Sequence, residues 1–216
     1  MPFGQCYGSV SHEEITSSWI DWLAQHIHLV WMKVEDPLHC GTVSQLQRSL
    51  DSDDFVEGMA DLNWSHLASV AKQSWENCSE WERASNRSAA VSSVLKAGVL
   101  GRRIAGLAID PTREALSVNK DQLEILRRME HYRWVSERLL AGWRYDEERS
   151  DLAKTRWQIT SWNGLETPPR SVVDDAKAKG KTLKEKKKDD RIVRLVVGLI
   201  MLGRLETKPL SEASKL

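Results

Sequence analysis

The sequence predicts an all-α fold, and three observations carry that expectation. Apolar residues recur at helical spacing through most of the chain, alternating strand patterns are scarce, and glycines or Asp-Pro pairs fall where the helical runs would end. The first helix is expected over residues 11–34. Ser11 and Glu14 have the spacing of a capping box, Trp19, Trp22, Leu23, Ile27 and Val30 form its apolar stripe, and Asp36-Pro37 stops it. The polar run 49–54 leads into a second helix over 55–73. A third, small and apolar segment over 85–97 is broken by Gly98 and Gly101. Asp110-Pro111 opens a connector. Asp121 and Glu124 are placed to cap a helix that runs to Ala141, with Gly142 as the residue that ends it through a positive φ. Residues 146–190 read mostly as loop, because Pro168-Pro169 interrupts regular structure and 176–188 holds seven lysines with almost no apolar residue. That lysine run reads as a solvated segment before it reads as a phosphate site. The closing helix begins near Asp189. Its apolar stretch 192–205 is interrupted by Arg194 and Arg204 and is too short to span a bilayer.

Composition narrows the function. Among 216 residues, 31 Lys and Arg balance 31 Asp and Glu, so no overall field draws the chain to DNA, RNA or a membrane surface. The three cysteines, Cys6, Cys40 and Cys78, are odd in number and widely spaced, which fits neither a disulfide framework nor a zinc site. With no secretory leader pattern at the N-terminus, a reducing cytoplasmic location is expected. Ten tryptophans stand against two phenylalanines. Each buried indole brings an N–H that needs a partner, so part of the excess is expected at a pocket or interface.

The helix over 121–141 is the most informative. At about 100° per residue from Ile125, Met129, Tyr132, Leu139 and Leu140 fall within about 60° of it and form the expected core stripe. Arg127, His131, Trp134 and Arg138 fall at roughly 180–240°, on the other side. An indole beside two guanidinium groups and an imidazole can stack on a flat ring and bind an anion. The same face can equally pack against a second layer of protein. His131 is read as a hydrogen-bonding residue, to a ligand or to a neighbouring carbonyl. Arg87 and Arg191 sit at Asn/Asp-Arg helix starts, where each could clamp an anion or close a salt bridge to Glu130 or Glu137. Gly142 and Trp143 read as structural, and Tyr145 as the rim of a pocket. No nucleophile elbow, phosphate loop or metal-ligand spacing is visible, so no catalytic residue, metal or cofactor is expected.

Glu130, His131, Trp134, Arg138, Gly142, Trp143 and Tyr145, followed by Trp162, Leu165, Asp190 and Arg191, resemble the Ryr repeat, named for the ryanodine receptor and also found in bacterial and phage proteins. The likeness covers about residues 121–205. It departs from the family at Asp146, at Trp157-Gln158 and in the length of the loop before Asp189. Ryr repeats often come in pairs. Ser85-Asn86-Arg87 with Val91, Leu95 and Gly98 resembles Asp189-Asp190-Arg191 with Leu195, Leu199 and Gly203. A degenerate first copy over 51–105 would put Asn63 and His66 in the places of His131 and Trp134. The expected organisation is then an N-terminal helical extension (1–50), a degenerate half (51–105), a connector (106–120), a Ryr repeat (121–205) and a tail (206–216), with the two halves about a pseudo-twofold axis and a cleft between them.

The resemblance implies non-catalytic binding of a nucleotide-derived small molecule, such as ADP-ribose or a cyclic nucleotide, by a sensor or sequestering protein of anti-phage defence or counter-defence. His131, Trp134, Arg138, Arg127, Tyr145, Asn63, His66, Arg87 and Arg191 are the expected ligand-binding residues, and Gly142, Trp143 and Trp162 the structural ones. With no effector domain in view, output is expected through a homodimer or a defence-system partner. The alternatives are a protein-interaction module and, third, a nucleotide-degrading enzyme.

Overall fold

The computed structural model describes residues 18–32, 40–180, 183 and 185–210. Among them the chain is all-α apart from one pair of short strands. In order the elements are α1 (Ser18–Trp31), α2 (Cys40–Asp51), α3 (Phe55–Ala60), α4 (Trp64–Glu76), α5 (Glu80–Val99), β1 (Arg102–Leu107), α6 (Lys120–Leu140), a 3-10 turn (Asn163–Glu166), α7 (Arg170–Ala178), α8 (Lys186–Met201) and β2 (Leu205–Pro209). The capping pair expected at Ser11 and Glu14 and the stop at Asp36-Pro37 lie outside the described residues.

Two helices carry the core. Leu23, Ala24, Ile27 and Leu29 of α1 are sealed from solvent, as are Ile192, Val193, Leu195 and Leu199 of α8. Helix α1 packs on α4, α5 and α8, and α6 packs on α5 and α8. The segment expected as an N-terminal extension therefore supplies a central helix. Helix α8 passes close to α3: a Cβ on Gly198 would lie 2.5 Å from Met59 Sδ.

Helix starts are set by side chains that satisfy the orphan N–H groups of the first turn. At α5 this is a capping box of Ser79 with Glu82, a turn and a half before the start read from sequence. At α6 the cap is Asn119 with Gln122, not Asp121 with Glu124. Asn119 holds extended backbone and accepts from Gln122 N at 2.8 Å, and Gln122 answers with Oε1 at 3.0 Å from Asn119 N. In 146–190, expected mostly as loop, Pro169 opens α7 instead of preventing it, because its fixed φ suits the residue before a helix.

The strands are a second departure. β1 and β2 pair antiparallel, Arg102 opposite Pro209 and Leu107 opposite Leu205, with an irregularity between Ile104 and Gly106. Residues 206–209, expected in a tail, thus belong to a strand. Each strand leaves its preceding helix through a glycine in the left-handed region, Gly101 at φ +71° and Gly203 at φ +65°. At Gly203 a Cβ would also run into the Thr112 backbone.

The contacts set Asn63 and His66 apart from His131 and Trp134. Asn63 caps α4, accepting from His66 N at 3.0 Å, and His66 lies exposed in the first turn. Neither stands as His131 and Trp134 do. A contact of similar kind occurs in α1: His28 Nδ1 lies 3.5 Å from Asn86 of α5, while His131 Nδ1 lies 3.3 Å from Asp189 of α8. Trp31 follows His28 at the spacing with which Trp134 follows His131. Among the described residues no helix is long and apolar enough to cross a membrane.

Candidate functional site

Helix α6 is turned over relative to the expectation from hydropathy. Its buried residues are Leu126, Glu130, His131, Trp134 and Arg138, while Ile125, Tyr132, Leu139 and Leu140 face solvent. Placing Trp134 and Arg138 on an outward face is therefore corrected. Much of this polar face can be buried because Glu130 and His131 find partners, which offsets the cost of taking them out of water.

Glu130 forms one such set. Its side chain is fully buried and bonds Lys96 Nζ at 2.7 Å and Arg133 at 2.7 Å, and Arg133 also reaches Glu137 at 2.6 Å. Burial alone would raise the Glu130 carboxyl, but the charges of Lys96 and Arg133 hold it below its usual range. His131 forms the second. Its Nε2 meets the Thr160 carbonyl at 2.8 Å. A carbonyl only accepts, so Nε2 carries a proton, and Nδ1 shares the next with Asp189. Burial raises the Asp189 carboxyl, which favours that shared proton. Of the two readings open for His131, the structure shows the bond to a neighbouring carbonyl.

The third set is built from indoles and guanidiniums. Gly142 takes φ +81°, as expected of the residue that ends α6, and Trp143 N bonds back to the Arg138 carbonyl at 2.9 Å. The chain then returns alongside itself: Arg144 N bonds Lys154 O at 2.9 Å and Arg156 N bonds Arg144 O at 3.2 Å. This brings the Arg156 guanidinium over Trp143 at 4.3 Å and beside Trp134 at 5.7 Å. Arg138 lies 5.3 Å from the Trp134 ring centre, 5.9 Å from that of Trp143, and 4.0 Å from that of Trp81 at the start of α5. Trp134 is 9% exposed and has two guanidiniums for neighbours, so it is no open platform for a base in a cleft. Trp81, by contrast, is half exposed.

These arginines are short of negative charge. Arg138 is 5% exposed, and among the described residues its Nε has no hydrogen-bond partner, nor has the buried Nε of Arg156. Among the described residues Arg138 closes no ion pair. Burial lowers its pKa to about 10. Glu137 opposes that shift, and Arg156, Arg133 and Arg149 add to it. Arg156 has Asp151 at 3.8 Å, but that carboxylate is already held by Arg149 at 3.0 Å.

An open recess of about 800 Å³ lies elsewhere, at the start of α8, walled in part by Trp162, Leu165 and Pro168. Its charges are matched. Arg127 pairs with Asp190 at 2.5 Å, Lys186 with Glu166 at 2.6 Å, and Lys187 with Asp51 at 2.6 Å. Glu124 accepts from the Trp162 indole N–H at 2.7 Å. An anion entering here would have to break existing pairs.

The expected ligand residues thus divide. His131, Trp134 and Arg138 come together with Trp143, and Arg127 lines the recess. Arg87 pairs with Asp21 at 2.6 Å, and Arg191 with Asp51 at 2.8 Å and Gln47 at 3.1 Å, so both close salt bridges, though not to Glu130 or Glu137. Tyr145 stands exposed beyond the turn. Sequence reasoning missed Trp81, Arg156, Lys96 and Asp189 as parts of these sets. Their common signal was weak: each is remote from α6 in sequence, and only Arg156, flanked by Trp157 in a polar loop, stood out chemically. Among the described residues no group of three or more His, Cys, Asp and Glu could hold a metal ion.

Comparison with known proteins adds no kinship: no family model matches the chain, and no curated protein matches it.

Proposed function

We propose that the chain is a non-catalytic binding module for a nucleotide-derived, phosphate-bearing small molecule, met at Arg138 and Arg156. The observation that carries this reading is the buried guanidinium of Arg138, which has no ion-pair partner among the described residues and sits beside a second under-compensated arginine. A buried charge without a counterion is costly, and a phosphate would relieve that cost through charge-assisted bonds. Trp81 supports the nucleotide part. Half of its surface is open, and base stacking on such a ring is worth ~1–3 kcal/mol.

The resemblance of α6 and its Gly142-Trp143 turn to a Ryr repeat supports the same ligand class. It also supports a cytoplasmic role as sensor or sequestering protein in anti-phage defence or counter-defence. Under this proposal residues 18–107 and 120–209 are the paired halves, since each ends in helix, glycine and strand. Output passes through association with a second copy or a partner.

A thermal-shift series with ADP-ribose and with cyclic nucleotides tests the reading. At least one nucleotide is expected to raise the melting temperature, and Arg156→Gln to remove that rise without lowering the melting temperature of the free protein by more than a few degrees. A flat response to every nucleotide counts against it.

A further inference from the structure

Beyond Gly142-Trp143 the chain makes a turn over residues 148–156 that is held from several sides. Ser150 and Thr155 exchange both backbone bonds, Ser150 N to Thr155 O at 3.1 Å and Thr155 N to Ser150 O at 2.8 Å. Thr155 is buried, and its hydroxyl donates to the Glu148 carbonyl at 2.9 Å. Lys154 takes φ +53° and donates from Nζ to the Ala141 carbonyl at 2.8 Å, which ties the turn to the end of α6. The antiparallel Ser150–Thr155 register places Arg149 opposite Arg156. At the tip, Asp151 serves both. Arg149 donates to it from Nε at 3.0 Å and from Nη2 at 3.1 Å, and Arg156 Nη2 lies 3.8 Å away. Arg156 also reaches inward to the rings of Trp134 and Trp143, which Arg138 faces too. Three guanidiniums thus run from buried Arg138 through Arg156, 16% exposed in its side chain, to Arg149 at 64%. Burial lowers the Arg156 pKa, and the charge of Arg149 adds to that shift against the pull of Asp151. Glu137, the carboxylate that acts on Arg138, is already held by Arg133 at 2.6 Å. Of the other acids on this segment, Asp146 accepts from Glu148 N at 3.0 Å, and among the described residues neither it nor Glu147 nor Glu148 pairs with these arginines.

We propose that the Asp151 carboxylate occupies a second phosphoryl subsite, between Arg149 and Arg156, so that the ligand of the Arg138–Arg156 site carries two linked phosphoryl groups. The inference rests on the proposed function and narrows its ligand class to a nucleoside diphosphate or a conjugate of one, against a mononucleotide or a cyclic mononucleotide. The first phosphoryl meets Arg138 and Arg156. The second takes the place of Asp151 against Arg156 and Arg149. The exchange costs little, because the Asp151 and Arg149 side chains are 67% and 64% exposed and an ion pair so open to water contributes little. Once displaced, the carboxylate turns into solvent, while phosphoryl oxygens fit the guanidinium fork as the carboxylate did. Linked phosphoryls also answer the charge. Three guanidiniums share one weakly held carboxylate, and a single phosphodiester would leave part of that positive charge unmatched.

Titration calorimetry with ADP and with AMP on the full chain tests this, using the unaltered protein, Arg149→Gln and Asp151→Asn. Both altered side chains are exposed, so both variants are expected to keep an unchanged circular dichroism. ADP is expected to bind the unaltered protein at least about tenfold more tightly than AMP. Arg149→Gln should remove most of that preference, weakening ADP while AMP stays within about twofold. Asp151→Asn should strengthen ADP binding by about threefold or more, because the competing carboxylate is gone. A residue that only shapes the turn would not give a gain. Equal affinities for ADP and AMP, or equal losses of both in Arg149→Gln, overturn the second subsite and leave the Arg138–Arg156 reading in place. An Asp151→Asn variant that binds ADP no better than the unaltered protein overturns it too. If neither nucleotide binds the unaltered protein, the parent reading is defeated and this inference falls with it.

Discussion

Lys96 Nζ and Glu130 Oε2 lie 2.7 Å apart with 2% and 0% of their side chains exposed. They tie α5 to α6, and Arg133 completes the set at the other oxygen of the carboxylate. Removing one partner leaves a charge stranded. Lys96→Met is expected to cost about 3–5 kcal/mol, as buried pairs do when broken from one side. Lys96→Met combined with Glu130→Gln should cost less than Lys96→Met alone. Urea unfolding of these proteins and of Glu130→Gln alone measures this, and additive losses would contradict a coupled pair.

Acid sensitivity should come in two windows. His26 is sealed in the core with Nδ1 2.7 Å from the Trp22 carbonyl, and burial lowers its pKa from 6.5 to about 4, against the pull of that hydrogen bond. The unfolded chain therefore binds this proton first. Stability is lost as pH falls from 6.5 toward 4, by about 3 kcal/mol. Glu130, held below the usual carboxylate range, contributes stability above that range and loses it as pH falls further. Unfolding free energies measured against pH should show the upper step, and His26→Gln should flatten it.

Asp189 stands to His131 as Asn86 stands to His28. An amide N–H can donate to Nδ1 just as a protonated carboxyl can. Asp189→Asn is therefore expected to melt within a few degrees of the unaltered protein. Asp189→Ala leaves buried Nδ1 unsatisfied and is expected to cost about 1–3 kcal/mol. If both substitutions cost the same, the shared-proton account of this pair is wrong.

Gly101 and Gly203 separate two effects of a methyl group. Both have positive φ, but a Cβ on Gly101 meets open space, whereas one on Gly203 collides with Thr112 backbone. Gly101→Ala is expected to cost about 1–2 kcal/mol from backbone strain alone. Gly203→Ala should cost several times as much. Equal losses in chemical denaturation would mean that the Thr112 segment gives way freely.

Parts of this molecule were legible in the amino-acid order and parts were not. The end of α6 was legible, because Gly142 has one local reason to be there. The face of α6 was read inside out. Hydropathy places Ile125, Tyr132 and Leu139 inward, yet the buried side is held by Lys96, Asp189 and the Thr160 carbonyl, groups at least 25 residues away that no helical wheel contains. The strands escaped for the same reason: residues 102–107 and 205–209 have little alternation of their own and become strands only by finding each other. Asn119 was passed over as a cap because Asp121 offered the same spacing two residues on. At the proposed ligand site, His131, Trp134 and Arg138 were found together, but Arg156 and Trp81 reach it only through the folded chain.

Titration calorimetry of the unaltered protein against Arg156→Gln, with the nucleotide that raises the melting temperature most, tests the central claim most directly. Micromolar affinity, weakened at least about tenfold by the loss of that one guanidinium, is the predicted result. Equal affinities for the two proteins would contradict the account, because the ligand's phosphate would then be held somewhere other than between Arg138 and Arg156.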